Sequence, residues 1–276
     1  MMNLMTHRSR HFPSFAELIA ETGIRLFLVD ASGVLYNDEG PVLGIAATVR
    51  EMQRVGDVVV VTNNTSHYVT QISENLARFG MDIPSENILS SGFGLAIDPD
   101  IHAMIRGKSV YVFGTPESYA YVENAGCRRI TQNVQEADII IMTSSLKEKT
   151  EEELEKIRDV DVPVICPNPD RYVMGPEGRI PVVGYYAERL GRPIHWMGKP
   201  YSNFSWVVKK WLEPRFELNA VCFFDDNLEN VLTIQRDLGF WGCCVTQTGL
   251  SRDLDVEAVK EKPSFWLPSL GSRSVD

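Results

Sequence analysis

No pair of cysteines in this chain has the spacing of a metal site, and the five that occur, Cys127, Cys166, Cys222, Cys243 and Cys244, are odd in number. A cysteine-held metal and a fully paired disulfide framework are therefore set aside. What remains is reduced thiol, packed as a small apolar group in a cytoplasmic protein. No apolar run approaches the length of a membrane span. The opening MMNLMTHRSRHFPSF has basic residues but lacks the apolar core of a signal peptide, so its first dozen residues are expected to fray. Positive charge is scarce too. Lys and Arg number 27 against 37 Asp and Glu, a formal net charge of −10, which removes the basic face that nucleic acid or an anionic membrane would need. A small pocket can still be locally positive, so an anionic ligand stays open. There is no fixed-period repeat and no low-complexity linker. What is present is 276 residues with 44% hydrophobic content, enough for one large core or for a core plus a smaller domain.

Short apolar runs alternate with amphipathic stretches along the chain. Leu26–Val29 is a buried-strand pattern that ends on Asp30 and turns at Gly33. The segment 44–56 places Ile45, Val49, Met52 and Val55 at helical spacing, and Asp57–Thr62 is a second strand that runs into TNNTS. Strand, crossover helix and parallel strand form a right-handed βαβ unit, so Asp30 and Thr62 should emerge side by side. After a helix near 69–80 and the stretch Ile88–Gly92, the alternation starts again with strands at 110–113, 138–142 and 162–167 and helices at 117–126 and 147–158. The first sheet is expected to resume at 194–197, followed by a helix at 203–212, a strand at 220–224 ending on Asp225 and Asp226, a helix at 228–239, a strand at 242–246 and a last edge strand in SFWLPSL. Residues 271–276 should be disordered. The fold class is α/β, a doubly wound and mainly parallel sheet with a smaller α/β unit inserted: core 1–92 and 191–276, insert 93–190.

Four stretches carry candidate chemistry. Asp30 is a carboxylate at a strand end, Thr62 and Asn63 offer hydroxyl, amide and backbone N–H groups to an anion, Lys199 sits in a Gly-Lys-Pro turn, and Asp225 and Asp226 end a strand together. Singly, each has a plainer role: an acid as a helix cap, TNNTS as a turn cluster, a lysine as a solvated charge. The adjacent acids are harder to explain so, because crowded carboxylates repel unless a cation or donor holds them.

The order of these elements resembles the haloacid dehalogenase superfamily: an apolar strand then DxxGVLY, an apolar strand then TNN, a GKP lysine, and an apolar strand then DD. The large interval that holds the inserted unit is similar to class IIA of that superfamily, the p-nitrophenylphosphatase-like group with an α/β cap. The CPNPD run at 166–170 and Gly184 before a helix match the same group. The resemblance extends from about Arg25 to Leu270. It implies a Mg²⁺-dependent phosphohydrolase acting on a small phosphorylated metabolite, with Asp30 as the nucleophile that becomes an aspartyl phosphate. It implies metal ligands from the Asp30 carboxylate, the Ser32 carbonyl and Asp226 with help from Asp225, phosphate contacts from Thr62, Asn63 and Lys199, and cap contacts from Asn168 and Asp170. Oxygen ligands suit Mg²⁺, and a lysine neutralises charge as the phosphoryl group moves. Arg171 and Tyr172 are lesser cap candidates. Pairing of two copies through the caps is a further implication, as are nucleotides, sugar phosphates, phosphoglycolate-like acids or pyridoxal phosphate as substrates.

The sequence departs from that pattern at Ser32, where the phosphatases have a second Asp that protonates the leaving oxygen and activates water. A hydroxyl is a poor acid and a poor base, and losing a positioned acid/base group costs roughly 10²–10⁴ in rate. Three readings stay open: a slow or specialised phosphatase, which takes its acid from the cap or substrate or has a leaving group that needs none; a phospho-ligand binder without turnover; or a phosphonate or other phosphoryl-transfer activity on the same nucleophile. His67 and His195 lie near the motifs and are candidates for the missing proton donor. A second departure places Asn230 and Val231 where another acid often follows Asp226.

Overall fold

The computed structural model describes residues 9–37, 39–146, 149–175 and 177–271. Seven parallel strands form the first sheet, in the spatial order Arg10–His11, Phe265–Leu267, Trp241–Val245, Val221–Asp225, Leu26–Val29, Asp57–Thr62 and Ile88–Ser90. From Leu26–Val29 the chain winds outward through Asp57–Thr62 to Ile88–Ser90. From Val221–Asp225 it winds outward in the other direction. The seam between those two strands is thus a topological switch point, where ligands of open α/β sheets bind beyond the strand C-termini. Phe224 is in register with Val29, and Val29 with Val60. One residue further on, Asp30 donates its backbone N–H to the Phe224 carbonyl (2.8 Å), which sets Asp30 beside Asp225.

Alternation along the strands sorts their side chains to two faces. Phe27, Val29, Val58 and Val60 pack with Phe15, Leu18, Ile45, Val49, Ile72 and Leu76 from the helices Phe15–Thr22, Ile45–Val55 and Val69–Arg78. Leu26, Leu28, Val59 and Val61 face the other way, against Phe204, Val207 and Leu212 of the helix Ser202–Leu212. That second cluster does not stop at the helix layer. It runs through Leu95, Ile105 and Tyr121 to Val110, Val112, Ile139, Ile141 and Ile165 on a second sheet. The second sheet is also parallel, in the order His195–Trp196, Val164–Cys166, Ile139–Met142, Ser109–Phe113 and Arg129–Thr131. A hairpin of Tyr172–Gly175 and Gly178–Pro181 follows its Val164–Cys166 strand.

Three details correct the sequence reading. The stretch around 194–197 does not resume the first sheet: His195 and Trp196 pair with Ile165 and Cys166, and the Met197 N–H is drawn to the Cys166 carbonyl (3.0 Å). The Phe265–Leu267 strand is not an edge, because Arg10–His11 adds outside it, and residues expected to fray begin pairing at Arg10. The expectations for the first eight residues and for 272–276 lie outside the described residues. All five cysteines are free thiols, four of them buried.

Candidate active site

Asp30 follows a strand that is buried along its whole length, and the turn after it depends on Gly33. Gly33 takes φ +85°, and a Cβ there would run into the Asp226 carboxylate. Glycine is the residue that adopts this conformation without a steric cost, so the turn folds back under the second acid. Gly249 presses on the same carboxylate from the opposite loop, and Leu250 N–H donates to Asp226 Oδ2 (2.6 Å). One carboxylate oxygen from each of Asp30, Asp225 and Asp226 lies within 4.8 Å of the others, and all three residues are buried.

Lys199 reaches into this group. Its Nζ donates to Asp30 Oδ1 (2.6 Å), Asp225 Oδ2 (2.7 Å) and the Val61 carbonyl (3.0 Å), and the residue is only 2% exposed. Burial disfavours its charge, but the Asp225 and Asp30 carboxylates outweigh burial and raise its pKa. Burial also raises Asp30 well above the usual carboxylate range, opposed by Lys199. Burial, with Asp225 beside it, pushes Asp226 up to about 7. Three buried carboxylates thus face one ammonium, and the surplus negative charge calls for a cation.

The donor set suits Mg²⁺: hard oxygens at a pocket that opens on ≈30 Å³ lined by Asp30, Ser32 and Asp226. A water needs roughly 10–15 Å³ on this measure, so the space is of the order of an ion and its water. Asn230 adds a second sign. Its amide donates to both Asp225 oxygens (3.2 Å each), while its own Oδ1 is buried without a protein partner. Asp225 is therefore largely engaged, by Lys199, by Asn230 and by the Asn227 N–H (2.8 Å).

A larger cavity of ≈180 Å³ opens beside Asp30 and Ser32, with Thr62, Asn64 and Ser66 on one wall and Ser144, Ser145 and Asn168 on the other. Thr62 is where the sequence reading put it. Asn63 is not on this cavity: its carboxamide donates to Asp170 Oδ1 (2.9 Å) and to the Lys199 carbonyl (2.9 Å) and accepts from the Lys199 N–H (2.8 Å). Its side chain ties the lysine turn to the NPD loop, and Asn64 and Ser66 line the cavity in its stead. Ser32 is exposed and lines both cavities.

Asn168 Oδ1 accepts the Asp170 N–H (3.1 Å), an Asx turn that fixes the loop, and burial pushes the Asp170 carboxyl up to about 6 against the pull of Lys199 and Asn63. Tyr172 lines the smaller cavity, Arg171 pairs with Glu188, and His67 is exposed on the larger cavity. His195 is exposed on the edge of the second sheet and on neither cavity. Sequence reasoning missed Asn64, Ser66, Ser144 and Ser145. The signal was there in two polar runs, TNNTS and TSS, each at the C-terminal end of an apolar strand.

Residues 27–128 match the family model of the haloacid dehalogenase-like hydrolases. No curated protein sequence matches the chain. Among solved structures, the 4-nitrophenylphosphatase of Thermotoga maritima is similar with a TM-score of 0.72 at 23% identity, covering 91% of this chain and 96% of its own. The p-nitrophenyl phosphatase from Archaeoglobus fulgidus gives 0.74 at 21%, covering 90% and 97%. A possible sugar phosphatase from Cytophaga hutchinsonii gives 0.78 at 20%, covering 96% and 100%. Over residues 27–128 the chain is thus similar to the haloacid dehalogenase-like hydrolases, and along nearly its whole length it shares the fold of these solved structures.

Proposed function

We propose that the chain is a Mg²⁺-dependent phosphomonoesterase that acts on a small phosphorylated metabolite through an aspartyl phosphate on Asp30. The observation that carries this reading is the Lys199 ammonium held between Asp30 and Asp225 at the switch point, with Asp226 beside them. An ordinary surface acid would not be buried, raised in pKa and clamped by a buried lysine. Thr62, which lines the cavity beside Asp30, would contact the phosphate oxygens, and Lys199 would orient the Asp30 carboxylate for in-line attack on phosphorus. Asp30, Asp226 and the Ser32 carbonyl would hold the metal, with Asp225 in support through Lys199 and Asn230. When bound, Mg²⁺ offsets the surplus carboxylate charge and that of the phosphate. Two of the solved structures that share the fold are p-nitrophenyl phosphatases, which supports phosphate ester hydrolysis here.

Ser32 favours a second reading, a binder of phosphorylated ligands without turnover, because the hydroxyl at this place does neither half of the proton transfer. One measurement separates the two. Phosphate release is followed over a panel of phosphometabolites and p-nitrophenyl phosphate, with Mg²⁺ and with EDTA, for the natural protein and Asp30→Asn. Metal-dependent release that disappears in the variant is the expected result. Full activity in Asp30→Asn would remove the nucleophile assignment, and ligand-induced thermal stabilisation without release would establish the binder.

A further inference from the structure

We propose that the Asp170 carboxyl is the general acid and base of this site, donating its proton to the leaving oxygen and taking one from the attacking water. The inference rests on the phosphomonoesterase reading above. Expelling an alcohol from phosphorus requires a proton at the departing oxygen, and few groups on the two cavities can give one. Ser32 offers only a hydroxyl. Lys199 is bonded to three acceptors, and burial pushes the Tyr36 phenol up to about 12. Asp30 and Asp226 are the nucleophile and a metal ligand, and exposed His67 sits beside Glu117.

Asp170 is placed differently. It lines both cavities that meet at Asp30 and Ser32, and its loop is fixed by the Asn168 side chain. Its Oδ1 accepts from Asn63 Nδ2 (2.9 Å), and among the described residues nothing bonds Oδ2. One oxygen is anchored, and the other is left for the proton. Lys199 and Asp225 are the charged groups that face it, with opposite effects, and burial brings the carboxyl to about 6, in the range where one group both gives and takes protons near neutrality.

The steps balance. An Asp30 oxygen forms a bond to phosphorus as the P–O bond to the alcohol breaks, and the departing oxygen takes the Asp170 proton. Water then attacks phosphorus and gives one proton to the Asp170 carboxylate as the P–O bond to Asp30 breaks. Alcohol and phosphate are released, and both carboxyls return to their starting states.

The test compares glycerol 2-phosphate, whose alkoxide needs a proton, with p-nitrophenyl phosphate, whose phenolate leaves without one. Single-turnover phosphorylation of Asp30 is followed with Mg²⁺ present. Asp170→Asn keeps the oxygen that accepts from Asn63. It should slow phosphorylation by glycerol 2-phosphate by roughly 10²–10⁴ and that by p-nitrophenyl phosphate by less than about tenfold, while the aspartyl phosphate accumulates for want of a base. Adding Ser32→Asp should restore the alkyl reaction. An equal loss for both substrates, as a merely structural role would give, or no loss for glycerol 2-phosphate, overturns the assignment. A measurement that needs no variant is the pH dependence of the natural protein: the ratio of alkyl to nitrophenyl phosphorylation rates should fall as pH rises and Asp170 loses its proton. A flat ratio overturns the proposal. Absence of phosphorylation by either substrate would instead remove the phosphomonoesterase reading, and Asp170 with it.

Discussion

Lys199 is the one ammonium that offsets the buried carboxylates Asp30 and Asp225. With Nζ bonded to Asp30, Asp225 and the Val61 carbonyl, removing it leaves two buried carboxylates without their countercharge. Breaking a buried pair in this way costs about 3–5 kcal/mol, so Lys199→Met should lower the unfolding free energy by that amount in urea titrations and abolish phosphate release. A variant as stable as the natural protein would mean that the clamp is not structural. Gly33 supports the same acids from below. Gly33→Ala adds strain at φ +85° and a methyl group against Asp226, and the Mg²⁺ concentration for half-activation should rise about 10–100-fold, the usual range for disturbed metal support. Asp30, Thr62, Lys199 and the acid pair were readable from the sequence because each ends an apolar run or sits in a short motif, and their order is distinctive. The work of Asn63 was not readable. A carboxamide binds whatever the fold brings near, and its partners Lys199 and Asp170 come from more than a hundred residues away.

Among elements, the long buried strands declared themselves, and the short ones did so less evenly. Asp57–Thr62 and Val221–Asp225 are runs of apolar residues, whereas Arg10–His11 is two residues long, too few for a period of two to register, and His195–Trp196 is legible as a strand but joins the second sheet where the sequence points to the first. The sheet that a two-residue strand joins is decided by its neighbours, here the Cys166 carbonyl. From His195–Trp196 the chain crosses to the first sheet through Gly198 and Lys199, and Gly198 takes φ +85° with the Asn63 Oδ1 where a Cβ would point (2.6 Å). Asn63→Ala deletes the bonds that hold this crossing. At about 1–3 kcal/mol for buried groups left unpaired, amide exchange at 198–199 should quicken measurably while exchange in Leu26–Val29 stays slow. Unchanged exchange at the turn would show that packing alone holds it.

At the scale of the molecule, the two sheets share one apolar layer: Leu28 and Val59 from the first, Val112 and Ile141 from the second, and Phe204 and Met197 between them. Chains of this size with two sheets commonly unfold in stages. Here the shared layer predicts a single calorimetric transition, with Phe204→Ala lowering stability by about 3–5 kcal/mol without splitting it. Two resolved transitions would show that the sheets are independent. On the proposal that Asp30 and Asp226 hold Mg²⁺, the ion should raise the transition temperature, and Asp226→Asn should erase that rise; the stabilisation is about 2.7 kcal/mol at a hundredfold excess over Kd. The common layer also bears on how such a chain can be rebuilt. Caps are attractive units to exchange between phosphatases when new leaving groups are wanted, but a graft here would expose Leu28, Val59 and Phe204 unless the incoming segment brought matching counterparts of Leu95, Tyr121 and Ile141. The unit that can be moved is the second sheet together with the helix layer beneath it.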